Sequence, residues 1–307
     1  MRLGFIGIGT MGSPMVRCLL QAGHQVKVND LNREATTALC ELGATWAETP
    51  QETAEHSQVV FTSLPGPTQV EAVLVNPENG ILASLAPGSA FIDMTTNAPS
   101  VSRRLAETCR QRGVQTLDAP VSGRPPGMTI MVGGEPSTFE KYKPVLESMG
   151  RNIYYVGGSG AGCVAKLVTQ YMGYSNFIAS VEGLLIGAKA GINLDILAQI
   201  VPVSAGASRT FDNIPRSVFD GSFESSGTLD IVAKDLDLAC QLAREVGAPS
   251  RIGAIADEVL KRAQAQGWGP EGYPVVAKIL EETAGIELRT TGSNEGEGYQ
   301  SGDLRRG

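Results

Sequence analysis

The feature that most constrains the fold is the placement of Gly7-Ile8-Gly9-Thr10-Met11-Gly12. It lies directly after a short apolar run at 2–6 and directly before a helical pattern carried by Met15, Val16, Leu19 and Leu20. In a strand–turn–helix setting the first glycine permits the tight turn, the second lets the backbone approach a pyrophosphate, and the third lets helix and strand touch. The helix N-terminus then stabilises the ligand's negative charge. Asp30 ends the next predicted strand, at about the ~20-residue offset where a carboxylate accepts the hydroxyls of an adenosine ribose. The two features together favour a dinucleotide over a plain structural turn. A carboxylate at Asp30 repels a ribose phosphate, so NAD is the first expectation. Arg33 is close enough in sequence to pair with such a phosphate, which leaves NADP open, and a cap or turn role for Asp30 stays open as well.

Further along, short apolar runs at 25–29, 59–64, 90–94, 114–119, 129–132 and 153–156 alternate with helical patterns. That alternation predicts βαβ units around a parallel, doubly wound sheet. The pattern changes at Gly157-Gly158-Ser159-Gly160-Ala161-Gly162, after which residues 163–190 run without a proline. At 1.5 Å per residue this helix spans roughly 40 Å, longer than one small domain needs. Apolar residues fall on nearly all of its faces, which predicts burial on several sides and a spine between domains. Gly173, Ser180, Gly183 and Gly187 fall near one stripe, where a helix of this chain or of a partner could approach closely; ordinary core packing explains the spacing equally well. Helical patterns near 229–245, 252–266 and 274–283 follow, with no convincing strand. The fold expectation is α/β: a Rossmann-like dinucleotide domain at 1–160, an all-α domain at 161–289 entered through the long helix, and a polar, glycine-rich tail at 290–307 expected to be disordered.

Composition narrows the chemistry. With 25 Lys and Arg against 32 Asp and Glu, the net charge of -7 argues against a nucleic-acid or anionic-membrane partner. Five scattered cysteines without a Cys-x-x-Cys pair fit reduced thiols and a cytoplasmic setting. The N-terminus is apolar too briefly for a signal peptide or a membrane span. Only His24 and His56 are present, so a Ser-His-Asp triad or a histidine-rich metal site is not expected. Proton transfer would fall to Lys, Tyr or a carboxylate.

Three more segments place polar groups where strands end or helices begin: Asp93-Met94-Thr95-Thr96-Asn97-Ala98-Pro99, Asp118-Ala119-Pro120-Val121-Ser122-Gly123, and Gly160-Ala161-Gly162-Cys163-Val164-Ala165-Lys166. By the crevice rule such ends face a ligand. Lys166 lies among Cys163, Val164, Ala165 and Leu167, where desolvation would lower its pKa toward neutrality. A snorkelling surface lysine fits the local sequence equally well. Together with Gly7-Ile8-Gly9-Thr10-Met11-Gly12-Ser13-Pro14-Met15, these segments resemble the β-hydroxyacid dehydrogenase family over about residues 1–285.

The resemblance implies hydride transfer between a nicotinamide cofactor and a 3-hydroxy acid or its semialdehyde, without a metal. It makes Lys166 the general acid and base, and Ser122 with the Gly123 backbone the anchor for a substrate carboxylate. Leu64, Pro65 and Thr96 then flank the cofactor, and Lys234 closes over it. The chain departs from the family pattern in three places. The loop Arg124-Pro125-Pro126-Gly127-Met128-Thr129 is several residues shorter, and its Arg124 offers a cation to an acidic substrate. Gln170 stands where many relatives carry an Asn that orients substrate. The family's Gly-x-x-Asp-x-Ser is replaced by Gly269-Pro270-Glu271-Gly272-Tyr273-Pro274. These departures leave room for an NADPH-dependent reductase of aldehydes or cyclic imines, and a non-catalytic nicotinamide sensor is a further alternative. The long helix and the family habit suggest a homodimer or homotetramer.

Overall fold

A computed structural model describes residues 1–290. The expected tail therefore lies, except for Thr290, outside the described residues. The first half runs β1 (Arg2–Ile6), α1 (Gly12–Gln21), β2 (Gln25–Asn29), α2 (Thr37–Glu41), β3 (Thr45–Trp46), α3 (Pro50–Ala54), β4 (Val59–Thr62), α4 (Pro67–Val75), β5 (Ala90–Asp93), α5 (Pro99–Arg110), β6 (Gln115–Asp118), β7 (Val121–Ser122), β8 (Met128–Gly134), α6 (Pro136–Glu147) and β9 (Gly150–Gly157). Helices follow: α7 (Ala161–Lys189), α8 (Leu194–Ile200), α9 (Ile214–Ser217), α10 (Leu229–Glu245), α11 (Arg251–Ala265) and α12 (Ala277–Ala284).

The chain forms two compact units, Met1–Met172 with Ala233–Ala254, and Gly173–Val232 with the chain from Ile255. In the first unit one sheet has the order β3-β2-β1-β4-β5-β6-β8-β7, with β9 paired to β8. The six strands from β3 to β6 are parallel, in the order 3-2-1-4-5-6 of a doubly wound dinucleotide fold. β8 turns antiparallel to β6 and β7, and β9 runs parallel to β8.

The strand period of two divides the core. Phe5, Val28, Val59, Phe61 and Ile92 pack with α1 and α6 on one face, whereas Ile6, Val60 and Phe91 pack with α4 and α5 on the other. Burial on both faces explains why β4 and β5 read as continuous apolar runs rather than as alternation. The two-residue strands β3 and β7 are too short to leave such a pattern.

Among its described residues the second unit is helical apart from one antiparallel bridge between Thr228 and Gly272. Tyr273 packs its ring against Phe177 and Tyr174, with centroids 5.0 and 5.9 Å away, and burial pushes its hydroxyl up to about 12. The short helices α8 and α9 are additions to the three segments expected after the long helix. α7 buries Leu167, Phe177, Val181 and Leu184, while Val168, Met172 and Ile186 are 51%, 58% and 71% exposed. Its small residues also differ from one another. A side chain at Gly187 would strike Leu197, whereas one at Gly183 would meet nothing within 4 Å. Among the described residues no helix is long and apolar enough to cross a membrane.

Candidate functional site

The residues of the candidate site all belong to the first unit. The turn between β1 and α1 begins at Gly7, whose φ of +94° lies in the left-handed region, where a side chain is strained. A Cβ at Gly12 would collide with the Gly7 carbonyl oxygen, which draws helix and strand together. At Gly9 the outcome is opposite, for a Cβ there meets nothing within 4 Å. Gly9 and Thr10 are exposed, Ile8 is buried and Met11 half-buried. The turn is closed from behind by Asp30, whose carboxylate accepts the Ile8 N–H at 2.6 Å and the Asn32 N–H at 2.8 Å. α1 starts without a side-chain cap or an acidic residue in its first turn, so its N-terminal N–H groups retain their pull on an anion. A tight turn, an open outer face at Gly9 and an uncapped helix start fit the pyrophosphate of a dinucleotide.

Two buried carboxylates organise the neighbouring strand ends. Asp93, at the end of β5, accepts from Thr62 Oγ1 (2.9 Å), the Thr95 N–H (3.0 Å) and Asn97 Nδ2 (3.0 Å). Thr95 Oγ1 in turn accepts the Leu64 N–H at 3.0 Å, which ties the Leu64-Pro65 loop to the loop carrying Thr96. A side chain at Gly7 would press on Ser63 O and come within 3.0 Å of Leu64 Cδ2, so the glycine turn adjoins the same loops. Asp118, beside Asp93 in the parallel register, accepts the Gly160 and Cys163 N–H groups at 2.7 and 2.9 Å. Burial raises both carboxyls above their ordinary range, against the pull of these hydrogen bonds.

Asp118 thereby holds the start of α7 against the sheet. Gly162 makes that approach possible: a side chain there would strike Met131 O and lie 2.5 Å from Asp118 O. Cys163 is fully buried with Sγ 3.2 Å from Ser102 Oγ, and desolvation keeps its thiol protonated. On the second turn of α7 stands Lys166, only 8% exposed. Burial lowers its ammonium to about 8, with Asp235 acting to raise it and Lys234 to lower it.

α10 supplies both of those charges. Lys234 Nζ donates to Thr96 O at 3.1 Å and pairs with Asp235 Oδ1 at 2.7 Å; a Cβ at Gly66 would lie 3.0 Å from its Cδ. Asp235 Oδ2 accepts from Gln170 Nε2 at 2.8 Å. Contacts thus lead from Leu64, beside the glycine turn, to Thr95, and from its neighbour Thr96 through Lys234 and Asp235 to Gln170, one helical turn beyond Lys166. Ser122 lies on β7, registered with Thr129 of β8, and Gly123 follows with a φ of +80°. Both are exposed, as is Arg124. Arg33 stacks over Trp46 at 5.5 Å and stands 3.7 Å from Glu48.

Sequence reasoning assigned no role to Asp93, Asp118 or Asp235. For the first two the signal was available, an Asp ending an apolar run before a polar loop. Asp235 carried only its place beside Lys234. Among the described residues no group of three or more His, Cys, Asp or Glu is arranged to hold a metal.

Comparison with known proteins agrees with this arrangement. A family model described as the NAD binding domain of 6-phosphogluconate dehydrogenase matches residues 2–157, and one described as the NAD-binding domain of NADP-dependent 3-hydroxyisobutyrate dehydrogenase matches 160–280. The 2-(hydroxymethyl)glutarate dehydrogenase of Eubacterium barkeri is 33% identical over 293 residues, covering 94% of this chain and 97% of that protein. The 3-hydroxyisobutyrate dehydrogenase of Pseudomonas aeruginosa is 34% identical over 266 residues, covering 83% and 89%. The crystal structure of a 3-hydroxyisobutyrate dehydrogenase from Salmonella typhimurium superposes with a TM-score of 0.83 at 30% identity, covering 91% of this chain and 99% of that one. With both halves matched and relatives aligned over nearly their whole lengths, the chain belongs to the β-hydroxyacid dehydrogenase family of nicotinamide-dependent oxidoreductases.

Proposed function

We propose that the chain interconverts a 3-hydroxy acid and its semialdehyde, with Lys166 as general acid and base and NAD as the preferred cofactor. The observation that carries the reading is the burial of Lys166, which brings its ammonium to about 8. Near neutral pH such a group gives up or takes a proton with little cost. The bound nicotinamide supplies or accepts the hydride. In reduction Lys166 Nζ donates its proton to the carbonyl oxygen; in oxidation the neutral amine takes the hydroxyl proton. Ser122 and the Gly123 backbone hold the substrate carboxylate, Arg124 adds a cation at the rim, and Gln170 stands beside the reacting carbon.

On the cofactor side, the backbone of Gly7, Ile8, Gly9, Thr10, Met11 and Gly12 cradles the pyrophosphate and Asp30 receives the ribose hydroxyls. Leu64, Pro65 and Thr96 flank the nicotinamide side, with Lys234 across them. Support for NAD over NADP comes from the Asp30 carboxylate and from Arg33, which is engaged with Trp46 and Glu48. The same reading takes 1–160 as the dinucleotide domain and 161–289 as the helical domain, in a cytoplasmic homodimer or homotetramer. The test is a fluorescence titration with NADH and NADPH, followed by turnover of a panel of 3-hydroxy acids with the tighter cofactor. Tighter NADH binding with activity on a panel member is expected. Tighter NADPH binding with turnover of aldehydes or cyclic imines alone would overturn it.

A further inference from the structure

We propose that Asp235 is a positioning residue for the Lys166 acid/base, its carboxylate engaging both the Gln170 amide and Lys234. The inference rests on the reading of Lys166 given above. Asp235 is 2% exposed on α10, and its two oxygens hold different partners. Oδ2 accepts the Gln170 amide at 2.8 Å, and Oδ1 pairs with Lys234 Nζ at 2.7 Å. Gln170 lies four residues past Lys166 on α7, so the two side chains share a helix face. The length of the Gln170 side chain carries its amide to Asp235. The carboxylate therefore fixes the amide that faces the substrate.

Lys234 pairs with Oδ1 by charge, and its hydrogen bond goes to Thr96 O. Asp235 thus keeps a second cation at a fixed place near a buried first one. The two α10 charges act on Lys166 in opposite senses, the carboxylate favouring the ammonium and Lys234 disfavouring it. The other buried carboxylates near the start of α7 are committed elsewhere, Asp93 to Thr62, Thr95 and Asn97, and Asp118 to the Gly160 and Cys163 amides. Burial is the larger influence on Lys166, and Asp235 is the carboxylate that opposes it.

The test is the pH dependence of kcat for alcohol oxidation, at saturating NAD, with the 3-hydroxy acid turned over best. Asp235→Asn keeps an oxygen for the Gln170 amide and removes the charge. Loss of the charge disfavours the ammonium, so the ionisation is expected to move down by roughly 0.5–1 unit. Lys234→Met, which removes the opposing cation, is expected to move it up, and this second variant decides the matter if the first fails to fold. Asp235→Glu is expected to restore the wild-type profile in part. Lower kcat with an unmoved ionisation in both charge-removing variants would overturn the inference and reduce Asp235 to a stitch between α7 and α10. Lys166→Ala separates the two layers: if it retains turnover, the reading of Lys166 fails, whereas an inactive Lys166→Ala beside unmoved profiles defeats only the role of Asp235.

Discussion

Two glycine-rich junctions, Gly7–Gly12 ahead of α1 and Gly157–Gly162 ahead of α7, each carry a strand into a helix, and they use the same composition to opposite ends. The first leaves its helix start uncapped and its outer face open at Gly9. The second fills that place with the protein's own carboxylate, because Asp118 accepts the Gly160 and Cys163 N–H groups. At the first junction the exposed amides are available to a ligand's charge. At the second they are satisfied internally, and what the helix offers is the side chain one turn further on, Lys166. Glycine also serves two needs. Gly9 clears room for something that comes from outside, whereas Gly162 lets backbone meet backbone.

That contrast can be broken by placing a methyl group in each junction. Gly162→Ala forces a Cβ against Met131 O and Asp118 O; it is expected to cost about 1–3 kcal/mol of stability as overpacking, read by denaturant unfolding. An unchanged midpoint would mean that α7 is not wedged against the sheet as described. Gly9→Ala is the smaller perturbation, since its Cβ meets nothing within 4 Å. Stability is expected to be unchanged while NADH binding weakens about tenfold, about 1.4 kcal/mol. If Gly9→Ala lowered stability and left binding intact, the two junctions would not differ in the way stated.

Much of this frame was legible in the chain. β1 and β2 stand at the expected residues for different reasons: β1 is an apolar run buried from Leu3 onward, whereas β2, Gln-Val-Lys-Val-Asn, is marked by alternation. α7 begins two residues before the expected start and ends one before the expected end. The strands β3 and β7 were not legible, being two residues long, and neither were α8 and α9, which at seven and four residues are too short to show a period. Which sides of α7 are covered was not legible: an all-round apolar helix announces a need for cover but not where it comes from, and Met172 and Ile186 lie exposed here. The glycine turn and the lysine helix could be read from local order. The link between them could not, because Asp118 meets residues 160 and 163, and Asp235 meets residue 170, only once the chain has folded.

The central claim is that Lys166 moves the proton while the distant glycine turn holds the cofactor. The most direct measurement compares wild type and Lys166→Ala in two readouts taken together, turnover of the best 3-hydroxy acid and fluorescence titration with NADH. The account predicts a loss of kcat of about 10²–10⁴-fold with an unchanged Kd for NADH. Turnover within a few fold of wild type, with the cofactor still bound, would contradict it.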